Sequence, residues 1–186
     1  QSIITPLIKK TSLDPENLSN YRPISNLSFL SKLTEKVVKD RLQDHLTNST
    51  LFNQFQSAYT KFHSTETVLL CLQDHLIRAM ASQQITCLCL LDLSAAFDTI
   101  DHSILLTRLT DWFGISGTVH NWFESYLTSR AFSVSISDNK STSTKLDCGV
   151  PQGSVFGPLL FIMYTTPLSS LLTSTSVSHH LYADDT

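Results

Sequence analysis

The residues of this 186-residue chain best suited to chemistry are Asp92, Asp184 and Asp185. Asp92 follows the apolar run at the start of LLDLSAAFD (90–98), and Asp184 and Asp185 close the strand-like HHLYADD. A carboxylate taken out of water is costly unless it is paired or bound to a cation. An Asp-Asp pair at a turn is common in itself, because Asp bonds its own backbone there. Placed behind apolar strands, these three read as ligands for divalent metal. Two such ions, about 3.5–4 Å apart and sharing carboxylates, are the usual machinery of in-line phosphoryl transfer. Ninety-two residues separate Asp92 from Asp184, so only the fold can join them. If their strands are neighbours, the carboxylates meet at one edge of a sheet.

A third stretch, GVPQGSVFGPLLF (149–161), offers a glycine-bearing loop that runs into a helix, with Pro158 suited to its first turn. The elements that must carry these motifs are legible. ITPLIKK reads as a short strand, followed by an irregular stretch rich in turn residues. Leu30, Leu33, Val37, Leu42 and Leu46 form a helical stripe, which predicts an exposed opposite face with Glu35/Lys39 and Lys36/Asp40 as i,i+4 pairs. Ser64 can cap a helix running to about Ser82, with Val68, Leu69, Leu72, Leu76 and Met80 inward. ITCLCLL (85–91) is too short for a buried helix and suits a central strand, with Cys87 and Cys89 as small hydrophobes. Asp101 can cap a helix ending at Phe113 before Gly114, and a further helix covers 118–128. AFSVSIS alternates, with Phe132, Val134 and Ile136 on one face and serines on the other. With the polar run to Asp147 it predicts a hairpin with a weak, edge-like second strand.

Composition sets the bounds. The chain is long enough for one core, and no apolar run nears the ~18–20 residues that span a bilayer, so no membrane partner is expected. Four cysteines without zinc-finger spacing suggest reduced thiols in an intracellular setting, nuclear or cytoplasmic. Net charge is −3, but residues 1–61 carry eight Lys/Arg against five Asp/Glu, and residues 62–186 five against eleven. A basic lobe before an acidic one fits phosphate contacts beside a metal site, and fits an uneven surface equally. His179 and His180 are adjacent, so on a strand they point to opposite faces and make a poor metal pair.

NYRPISNLS, HSTET, LLDLSAAFDTIDH, GVPQGSVFGPLLF and YADDT, in that order, resemble successive motifs of the reverse transcriptases of non-LTR (LINE-type) retrotransposons. The resemblance covers nearly the whole chain. It implies an RNA-directed DNA polymerase with an RNA or DNA template, a primer, dNTPs and two Mg²⁺ ions, with Mn²⁺ an alternative. It implies an α+β fold: right-hand polymerase fingers at 1–84 and an incomplete palm at 85–186, an antiparallel sheet backed by helices, truncated after YADD and without a thumb. On it Asp92 bridges both metals, the Leu93 carbonyl touches the nucleotide-side ion, Asp184 is the second essential ligand and Asp185 a supporting one. Phe97 lies under the sugar and disfavours a 2′-hydroxyl. Gln152 contacts nucleotide and template, Gly153 lets the backbone approach, and Arg22 holds the triphosphate through its fork of donors.

Two features depart from the family pattern: Phe156 stands where Leu is commoner, and QSAYTKFHSTET lacks the Gly and Arg found near QSGFR. In this comparison the 131–147 hairpin is peripheral, and strand 179–183 lacks its usual partner, which predicts a marginally stable, inactive fragment. The alternative reading is a decayed or domesticated copy that binds nucleic acid without catalysis; a purely structural α+β domain is a third.

Overall fold

The structure, a computed structural model, describes residues 2–93, 95–128 and 130–184. Among the described residues, a five-stranded mixed sheet and five α-helices make up the fold, with a short 3-10 turn at Leu18–Asn20. Strand β1 (Ser2–Ile8) pairs antiparallel with β2 (Tyr21–Asn26) and parallel with β3 (Ala131–Ile136). β3 pairs in turn with β4 (Asn139–Lys140) and β5 (Thr144–Lys145). The 131–147 segment joins the sheet begun by the first strands, and among the described residues it pairs with neither the 85–93 nor the 179–184 segment. The alternation does not mark a buried apolar face: Ser133 is 1% exposed, Phe132, Val134 and Ser135 are half-buried, and Ile136 is 60% exposed.

Helices α3 (His102–Phe113), α4 (Gly117–Leu127) and α5 (Gly157–Ser174) pack together as the core. Leu105, Leu109, Phe123, Leu127, Leu160 and Phe161 are buried there. Their ends follow the sequence. Asp101 accepts from the Ser103 hydroxyl at 2.5 Å and from the Ser103 and Ile104 N–H groups at 2.8 and 3.0 Å, and the hydroxyl first, then the Ile104 N–H, hold its carboxyl below the usual range. Gly114 closes α3 in the left-handed region at φ +64°. Phe156 is fully buried against Trp122, Phe123 and Tyr126, with ring centroids 5.5–5.8 Å apart. The larger ring therefore has a purpose-shaped aromatic slot.

Helix α1 (Phe29–Asn48) is capped by Ser28, and α2 (Thr65–Ala81) by a Ser64–Thr67 capping box. The predicted α1 stripe holds only in part. Leu42 and Leu46 are buried, but Leu30, Leu33 and Val37 are exposed, and the inward residue of the first half is Glu35. Its carboxylate accepts from the Tyr126 hydroxyl at 2.9 Å and the Val155 N–H at 2.7 Å, so it forms no exposed pair with Lys39. On α2, Val68, Leu72 and Leu76 are half-buried, and Leu69 and Met80 are exposed.

Residues 85–91 do not form a strand. Ile85, Leu88, Leu90 and Leu91 are all at least half exposed, and Cys87 and Cys89 are exposed with them. A continuous apolar run becomes a central strand only with partners at both edges and layers on both faces, and no described residue supplies them. The 179–183 segment, by contrast, is partnered. Leu181 N–H donates to the Phe55 carbonyl at 2.8 Å, and Ser57 N–H to the Leu181 carbonyl at 3.0 Å.

Candidate active site

The backbone brings the two distant motifs together. Leu93 N–H donates to the Asp184 carbonyl at 3.0 Å, so the end of LLDL runs beside the YADD turn. Asp92 is exposed at that end and Asp184 is half-buried. Neither is in an ion pair among the described residues. Asp185 lies outside the described residues, and among those described no cluster of three or more His, Cys, Asp or Glu could hold a metal.

The YADD turn is held from below by Gln56, 7% exposed. Its Oε1 accepts from Ala58 N–H at 2.9 Å and Ala183 N–H at 3.1 Å, which fixes Ala183 at φ +58° just before Asp184. His180 Nε2 pairs with Ser57 Oγ at 2.8 Å and His179 Nε2 with Ser169 Oγ at 2.7 Å. Residues 179 and 180 lie outside any strand, and the two imidazoles take separate partners, in the 55–57 loop and on α5.

Asp184 lines an open cleft of about 750 Å³, together with Arg22, Phe97, Gln152 and Gly153. They reach it from separate parts of the chain, with Gln152 and Gly153 on one turn. Arg22 stands exposed on β2, opposite Leu7 of β1. Phe97 sits in a turn begun by Ala95 at φ +54°, its ring 5.1 Å from that of Phe161 on α5. Pro151–Ser154 forms a turn closed by Ser154 N–H on the Pro151 carbonyl at 3.0 Å. Gly153 occupies its third position at φ +97°, a conformation that favours glycine. The Gln152 carbonyl accepts from Ser25 N–H at 2.9 Å, which ties this turn to β2.

Lys9 and Tyr59 also line the cleft, although the motif reading passed over both. Lys9 Nζ donates to the Ser19 carbonyl at 2.9 Å. Its signal was the KK pair closing the first strand. Tyr59 stands at φ +58°; burial first, then the charge of Asp184 and the Tyr182 phenol, raise its pKa. Its signal was the aromatic in QSAYTK, beside the missing Gly and Arg.

With this geometry in view, comparison with known proteins is decisive. Residues 8–186 match the family described as "Reverse transcriptase (RNA-dependent DNA polymerase)". The chain belongs to the reverse transcriptase family. This reverse transcriptase chain is 33% identical over 87% of its length to the probable RNA-directed DNA polymerase from transposon BS of Drosophila melanogaster, covering 18% of that protein. It is 30% identical over 97% of its length to the RNA-directed DNA polymerase from mobile element jockey of the same fly, covering 20%. It therefore spans about a fifth of these curated relatives. Two solved structures share its fold. Telomerase from Candida albicans in complex with a fragment of telomeric RNA matches all of the chain and 38% of its own, with TM-score 0.60 at 13% identity. Apo telomerase from Candida tropicalis, truncated from its C-terminal domain, matches 89% of the chain and 40% of its own, with TM-score 0.58 at 14% identity. The α+β arrangement is thus the right-hand polymerase fold, with the refinement that its first sheet is mixed.

Proposed function

We propose that this chain is the fingers (1–84) and palm (85–186) portion of a retrotransposon-encoded, RNA-directed DNA polymerase that adds dNTPs to a primer 3′-hydroxyl on an RNA or DNA template. The observation that carries the reading is the Leu93–Asp184 backbone bond beside a cleft that Arg22, Phe97, Gln152 and Asp184 share.

The donor set suits Mg²⁺, a hard cation that prefers carboxylate and carbonyl oxygens. Asp92 and Asp184 would hold the ions, with Asp185 and the Leu93 carbonyl in support. When bound, Mg²⁺ lowers the pKa of the primer hydroxyl and offsets charge on the leaving pyrophosphate. The chain's own groups do the rest by positioning and charge. Lys9 and Arg22 bring two cations to the β2 side of the cleft for the triphosphate, Arg22 through a fork that matches phosphate oxygens. The Phe97 ring, backed by Phe161, forms a fixed floor for the sugar and leaves no room for a 2′-hydroxyl. Gly153 keeps the turn free of a side chain so that Gln152 can reach base and template.

The test is primer extension by the full-length protein on an RNA template with dNTPs and Mg²⁺. Template-directed extension that stops on chelation is the expected result. Salt-sensitive template–primer binding with no extension at any Mg²⁺ concentration would replace this reading with the non-catalytic, nucleic-acid-binding one.

A further inference from the structure

Asp98 stands in the same cleft but belongs to neither residue set above. Both its carboxylate oxygens lie within hydrogen-bond distance of Gln152 Nε2, Oδ1 at 3.1 Å and Oδ2 at 2.9 Å. The backbone is built around this pair. Gly149 stands at φ +83°, and a Cβ there would lie 2.9 Å from the Asp98 carbonyl oxygen and 3.0 Å from its Cα. Gly149 N–H donates to the Ile100 carbonyl at 2.7 Å and Val150 N–H to the Phe97 carbonyl at 2.9 Å. The turn bearing Asp98 and the loop bearing Gln152 are thus laced together beside the contact. Ser25 fixes the Gln152 main chain from the other side, which leaves its side chain to Asp98.

A primary amide has two unlike ends, a donor nitrogen and an acceptor oxygen, whereas a carboxylate only accepts. Asp98 therefore selects one orientation of the Gln152 carboxamide, with the nitrogen engaged and the carbonyl oxygen turned away from it. We propose that Asp98 is a positioning residue, which orients the Gln152 carboxamide so that its carbonyl oxygen is offered to the incoming nucleotide. The inference rests on the polymerase reading and goes beyond it by naming what aims Gln152.

The test is a double-mutant cycle read by equilibrium binding of a fluorescent dATP analogue to the full-length protein on an RNA template with a 3′-deoxy primer. Asp98→Ala and Gln152→Ala should each weaken binding about tenfold. The double variant should be no weaker than Gln152→Ala alone, because the Asp98 effect passes through Gln152. Asp98→Asn, whose side-chain oxygen still accepts, should recover most of the affinity. Additive losses would overturn the inference in favour of a merely structural Asp98. Tighter binding by Asp98→Ala would overturn it in favour of a latch that the nucleotide must break. The polymerase reading fails by a different sign, an analogue bound by wild-type protein that extends no ordinary primer. Wild-type protein that binds no analogue overturns both.

Discussion

Phe97 and Gly149 show how tightly single positions are specified around the cleft. The Phe97 ring is backed by Phe161, so its edge toward the cleft cannot retreat from a bulkier sugar. Phe97→Val should lower the dNTP-over-rNTP ratio of kcat/KM by about 10- to 100-fold, since rejection of a hydroxyl is lost with the ring; an unchanged ratio would remove Phe97 from the sugar site. Gly149→Ala would press a methyl group into the Asp98 backbone at a left-handed φ, displacing the turn that carries Phe97. Steady-state kinetics should show its dNTP KM raised along with a lowered kcat, and wild-type values would contradict the close packing. The metal candidates are legible in residue type and placement, carboxylates at the ends of apolar runs, whereas Phe97, Gln152, Gly153 and Arg22 are named only by the resemblance to reverse transcriptase motifs. Lys9 and Tyr59 are reached by neither route, because a lysine at a strand end and a tyrosine in a polar loop have no chemistry until the fold turns them into the same cleft.

At the scale of elements, the 149–157 loop is the pivot. Glu35 from α1, Tyr126 from α4 and Val155 of the loop meet at one buried carboxylate. Burial and the facing Glu35 raise the Tyr126 pKa, so the phenol keeps its proton and donates it. Tyr126→Phe leaves that carboxylate one donor short and should destabilise the protein by about 1–3 kcal/mol in chemical denaturation. Phe156→Ala empties the aromatic slot and should cost about 3–5 kcal/mol; a loss below 1 kcal/mol would mean the slot collapses without consequence. Caps announced α2 and α3 within a residue, because Ser64, Asp101 and Gly114 act on their own backbone. The α1 stripe misled because periodicity locates a face without saying what covers it. The first half of the helix turns Glu35 inward, toward two donors that lie 91 and 120 residues away. The same limit applies to β3, whose parallel partner β1 lies more than a hundred residues earlier and cannot be read from the local alternation.

In the whole molecule, the YADD segment is the junction. It takes backbone bonds from the 55–57 loop on one side and from Leu93 on the other, and its imidazole His180 closes onto Ser57. Burial, then the neighbouring His63 and His179, lower the His180 pKa below its ordinary value near 6.5. The unfolded chain therefore binds more protons than the folded one between that lowered value and 6.5. Stability from this group is complete above pH 6.5 and is lost as pH falls toward the folded pKa. Thermal midpoints should drop on acidification through this window, and His180→Gln should flatten that part of the profile; an unchanged profile would free the junction of His180. No helix among the described residues is long and apolar enough to cross a membrane. The central claim is that Asp92 and Asp184, brought together by this junction, form one metal-dependent polymerising centre. It is tested most directly by the single-turnover rate of dNTP addition for Asp184→Asn beside wild type, in the full-length protein at saturating template–primer and Mg²⁺. We predict retained template–primer binding with a rate lowered by at least about 10²–10³-fold, the scale of losing one electrostatic group at a reacting centre. A rate within a few fold of wild type would contradict the account.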